Sequence, residues 1–113
     1  MERWTERGMQ EINISAIAFQ EGDVWVVQGI EYDIVTHASN PAEIPDALMK
    51  ALVENVCITQ QLGREPLAGI KPAPQRFKDM FDIAVAQVRS IKREISAQAP
   101  IGELDIRLAN AAA

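Results

Sequence analysis

The stretch Val24–His37, VWVVQGIEYDIVTH, decides how this chain is read. Its first half is β-branched and aromatic, with apolar residues at both parities, the pattern of a strand inside a sheet. Glu31-Tyr32-Asp33 interrupts that run and reads as a reversal, after which residues 34–39 resume as another strand. Residues 30–37, IEYDIVTH, also hold two carboxylates and the chain's only histidine. The same stretch is therefore the first place to look for chemistry.

Upstream, EINISAIAF (11–19) alternates in part. Ile12, Ile14, Ala16 and Ala18 fall on one side, and Asn13, Ser15, Ile17 and Phe19 on the other, so one face is better buried. Gln20-Glu21-Gly22-Asp23 supplies turn chemistry between this strand and the next, because Gly22 takes a positive φ without cost. Three strands in succession make an antiparallel meander, with Phe19 and Trp25 expected in its core.

Downstream, Asn40 before Pro41, with Glu43 three residues on, has the form of a helix start: an N-cap, a proline at the first position and a capping-box acid. Pro45 lacks a ladder donor, which distorts the first turn and moves the regular helix toward Pro45 itself. Ile44, Ala47, Leu48, Ala51, Leu52, Ile58 and Leu62 gather on one face, expected to lie on the sheet, and Gly63 marks the stop. Met49, Val53, Val56 and Cys57 form a second apolar stripe, covered either by the chain's second helix, the preferred reading, or by a partner subunit. Cys57 there reads as a small packing residue.

Residues 64–75, REPLAGIKPAPQ, form a Pro-rich connector. Beyond it Phe77, Phe81, Ala84, Val88, Ile91 and Ile95 keep a four-three spacing that predicts a second, long helix over 76–97. Glu103–Leu108, ELDIRL, alternates as a last strand, able to pair within the chain or across a dimer. The predicted fold is a single α+β domain. It comprises a three-stranded antiparallel meander with a helix packed on it (core 10–62), the second long helix, and a C-terminal strand at 103–108. Self-association is expected, with Met49, Val53, Val56, Phe77, Phe81, Val88 and Ile91 as interface residues.

Composition narrows the function. A formal net charge of −5 over 113 residues disfavours non-specific binding to phosphate backbones. The single cysteine, Cys57, allows no intramolecular disulfide and suits a reducing, cytoplasmic setting. No stretch approaches the ~20 apolar residues of a membrane span. The six glycines are isolated, so no phosphate-binding loop is present. With one His and one Cys, a metal or hydrolytic site would have to use Glu31, Asp33 and His37. A reversal at Tyr32-Asp33 breaks their alignment, so the trio reads as a turn plus a surface histidine. No catalytic residue, cofactor or metal is expected, and the chain is read as a non-enzyme.

The run VWVVQGIEYDIVTHASNPAEIPDALMKALVENV, followed by GREPLAGIKPAP, resembles the HicB-like family. Members read a W-V-A-Q-C-L-E-Y-D-I strand, a polar turn and an E-E-A-L helix. The match covers roughly residues 10–75, and its specific parts are Val26–Ile34, with Pro72 and Pro74 at the close. The resemblance implies a degraded ribonuclease-H-like sheet without the nuclease's acidic cluster, acting as the antitoxin that covers a small HicA ribonuclease toxin. The partner surface it suggests is Glu31, Tyr32, Asp33 and His37. A solitary, homo-oligomeric descendant without a toxin is the alternative. HicB-like antitoxins usually also carry a DNA-binding segment. Here ELDIRL is similar to the opening strand of a ribbon-helix-helix but runs into an Ala-rich end, so operator binding is not expected. Gly29 stands where many members have cysteine, a difference expected to be neutral.

Overall fold

The computed structural model describes residues 12–90, 93–94 and 100–109. Strands β1 (Ile12–Glu21), β2 (Val24–Gly29) and β3 (Val35–Ala38) form the expected meander, turning at Gly22 with φ +62. A short 3-10 helix (Pro41–Glu43) leads into α1 (Ile44–Gln61), followed by α2 (Gln75–Ile83), β4 (Ala86–Ser90), β5 (Arg93–Glu94) and β6 (Pro100–Leu108). The sheet is mixed, in the order β3-β2-β1-β6-β4, with β5 also paired to β6.

The helix start follows from its two prolines. The Asn40 side chain accepts from the Glu43 backbone N–H at 3.2 Å. Pro45 cannot donate to Pro41, and the Ile44 N–H bonds that carbonyl instead, closing a 3-10 turn before the α-helix begins. At the other end Gly63 takes φ +74, as a helix stop requires.

Alternation sorts the sheet into two faces. Ile14, Ala16, Ala18, Val27, Leu104 and Ile106 share one core with Ile44, Leu48, Met49, Leu52 and Val56 of α1. The two stripes predicted on α1 are thus one broad face, and Met49 and Val56, expected at an oligomer interface, are buried within the chain; Val53 packs partly against the same core. Ile58 and Leu62, expected on that face, are 53% and 62% exposed. Ile58 flanks the Leu48–Leu52–Val56–Thr59 arc, and Leu62 lies beyond the last helical residue. Cys57 is exposed rather than packed. The connector closes this core. Buried Leu67, at φ +64, donates its N–H to the Thr59 hydroxyl at 3.0 Å.

The second helix is much shorter than its spacing predicts. It ends at Ile83, and Ala86–Ser90 pairs antiparallel with β6 from Ala86↔Leu108 to Ser90↔Leu104. The same residues that keep a helical spacing also alternate, with Val88 partly buried against the core and Gln87 exposed, and β6 offers a ladder to complete. Ile91, Ile95 and the rest of that predicted helix beyond Glu94 lie outside the described residues. Nor does α2 cover α1. It crosses the opposite face of the sheet, where Phe77 stacks on Phe19 with centroids 6.1 Å apart. There the Arg107 guanidinium lies 4.0 Å from the Phe81 ring and donates to the Phe81 carbonyl at 3.0 Å. A cation at the last carbonyls of a helix opposes the negative end of its dipole. Phe77 and Phe81 are therefore half-buried against this chain's own sheet.

The last strand pairs within the chain and is central, not peripheral. It runs parallel to β1, from Ile12↔Ile101 to Ala18↔Leu108, and antiparallel to β4. It begins at Pro100, earlier than predicted, and passes through Gly102 with a register shift between Ile12 and Ile14. At that irregularity the Glu103 N–H is taken up by the Asn13 side chain at 3.0 Å.

Candidate functional site

The site is built by the way the chain leaves β2. Ladder bonds continue to Ile30, whose N–H donates to the Ser15 carbonyl at 2.8 Å. The return bond is not made, because the Ile30 carbonyl turns to the connector and accepts from the Ala73 N–H at 3.0 Å. The Glu31 carboxylate takes its place, its Oε1 accepting from the Ser15 N–H at 2.7 Å. Asp33 completes the bend: its Oδ1 accepts from the Gln28 amide at 2.9 Å, and its N–H donates to the Lys71 carbonyl at 2.7 Å. Ile34 donates to the Tyr32 carbonyl at 2.7 Å, a tight three-residue turn that returns the chain to β3. Pro72 and Pro74 flank Ala73 on the connector, so no donor is lost where only one is used.

Gly29 is required by this geometry. A Cβ built there would stand 2.7 Å from the Tyr32 carbonyl oxygen and 3.4 Å from that of Ile34. Any side chain at this position would have to displace a backbone carbonyl.

The trio Glu31, Asp33 and His37 does not converge. The two carboxylates bond different parts of the scaffold, and His37 lies exposed on β3 opposite Val26. No group of three or more metal-ligating side chains occurs among the described residues. The carboxylates do more than solvate a turn, as the sequence had suggested; they replace a strand carbonyl and tie down a buried glutamine. Tyr32 is half-buried and packs against the core. That role is testable: Glu31→Ala should lower the thermal midpoint by leaving the Ser15 N–H without its acceptor, while Glu31→Gln should retain most of it. Equal midpoints for the two variants would show that the bond contributes nothing.

Beside the bend, β3 forms one edge of the sheet. Val35 is 48% exposed and His37 is exposed. No helix among the described residues is long and apolar enough to cross a membrane. No family model, curated protein or solved structure matches the chain.

Proposed function

We propose that this chain is a HicB-like, antitoxin-type protein-binding domain without catalysis, whose partner is a small ribonuclease toxin and whose setting is the cytoplasm. The observation that carries the reading is the disposition of IEYDIVTH. Its carboxylates hold the bend in place and leave His37 alone on an edge strand, an arrangement suited to presenting a surface and not to moving protons. The succession of antiparallel meander, helix and a later strand parallel to β1 supports the degraded ribonuclease-H-like assignment.

Co-expression with the product of a short neighbouring reading frame, followed by pull-down, tests the reading. A stable complex with a small basic protein is the expected result, and no capture when both are soluble would contradict it. The solitary homo-oligomer is favoured by one observation: Ile83 and Val85, 78% and 89% exposed, stand beside β4 at the other edge of the sheet. Sedimentation of the isolated chain as a dimer that Val85→Lys dissociates would support that alternative.

A further inference from the structure

We infer that the β3 edge takes up an extended, cationic strand of a partner protein by β-strand addition, a binding mode that deepens the function proposed above. Two independent features meet at this edge. The first is its backbone. The Gly29 N–H donates to the Ile34 carbonyl, so the Ile34 carbonyl faces β2 and fixes the phase of the ladder. By alternation Thr36 and Ala38 turn their backbone groups toward β2, while Val35 and His37, opposite Gln28 and Val26, turn theirs outward. Among the described residues β3 pairs with β2 alone. A partner strand would therefore bond Val35 and His37 and lay a side chain against Val35.

The second feature is charge. From Ile12 to Met49 the chain holds six carboxylates, Glu21, Asp23, Glu31, Asp33, Glu43 and Asp46, and no lysine or arginine. The remainder carries 11 Lys and Arg against ten Asp and Glu, so the negative balance of −5 arises in this segment. The topology sets several of these carboxylates around β3. Asp33 precedes it, with Lys71 of the connector against its backbone, the Glu21–Asp23 turn lies beside its end through the Trp25↔Ala38 pair, and Glu43 follows on the 3-10 helix, while the Glu31 carboxylate is turned to Ser15 on β1. Such a rim attracts a cationic strand and repels nucleic acid, and it disfavours a second copy of the same edge, which would bring two acidic rims together.

The probe is a ten-residue peptide alternating lysine and valine, compared with its glutamate-valine counterpart and read by anisotropy and amide hydrogen exchange. The lysine peptide is expected to bind, to weaken severalfold between low and physiological salt, and to slow exchange at Val35 and His37 at least tenfold while leaving β4 unchanged. Val35→Pro removes an outward N–H that no ladder bond uses and should weaken binding at least tenfold without shifting the thermal midpoint. Should that variant fail to fold, the double charge reversal Glu21→Lys with Glu43→Lys reads the same surface and should also weaken binding. Unslowed exchange at Val35 and His37, or equal binding of the glutamate peptide, would overturn the inference. A toxin that binds the Val35→Pro variant as well as the native chain would sink the edge and leave the antitoxin reading standing. Peptide capture at β3, with no toxin bound by the intact chain, would do the reverse.

Discussion

A chain truncated after Ala99 is expected to lose cooperative folding altogether. The removed segment supplies β6, the strand between β1 and β4, and with it Ile101, Leu104 and Ile106, each no more than 1% exposed. Cutting back one such side chain to alanine costs about 2–5 kcal/mol, and whole domains are stable by only about 5–15 kcal/mol. Loss of all three, with the ladders on both sides, exceeds what the meander and α1 can offset. Circular dichroism on heating should show no sigmoidal transition. A transition within a few degrees of the intact chain would mean that β6 is an appendage and that the meander with α1 folds alone.

Gly29→Ala is the substitution at the bend with the largest expected effect. The added methyl meets a backbone carbonyl, not a side chain that can swing aside. Relief requires moving the bend that Glu31, Asp33 and the connector hold from three directions. Overpacking of this kind typically costs about 1–3 kcal/mol, and the upper part of that range is expected here. Chemical denaturation should show a lower midpoint with an unchanged slope. A midpoint equal to that of the native chain would show that the bend yields freely, and would weaken its role as a fixed support for β3.

Much of this architecture could be read from residues alone because local and tertiary preferences agree there. Gly22 turns the first hairpin, and Asn40, Pro41 and Pro45 set the start of α1, including the distortion of its first turn. The segment after Ile83 misled because its residues suit either periodicity: Ala84, Val88 and Ile91 match a helix seam, and Ala86 and Val88 match a strand. Only the demand of β6 for a partner on its outer side decides between them, and that demand is not local. The place of ELDIRL was hidden for the same reason, since a parallel partner eighty or more residues away leaves no trace in nearby spacing. At the site, the reversal at Glu31–Asp33 and the isolation of His37 were legible. The bonds from Glu31 to Ser15 and from Asp33 to Gln28 were not, because a carboxylate that replaces a strand carbonyl looks in sequence like any acid on a turn.

The proposed binding of a small ribonuclease is tested by a cleavage assay with the purified product of a short neighbouring reading frame. Adding this chain at equal molar amount should suppress RNA cleavage and yield a discrete complex in native mass spectrometry. Undiminished cleavage in the presence of excess folded chain, with both proteins remaining at their separate masses, would rule that binding out.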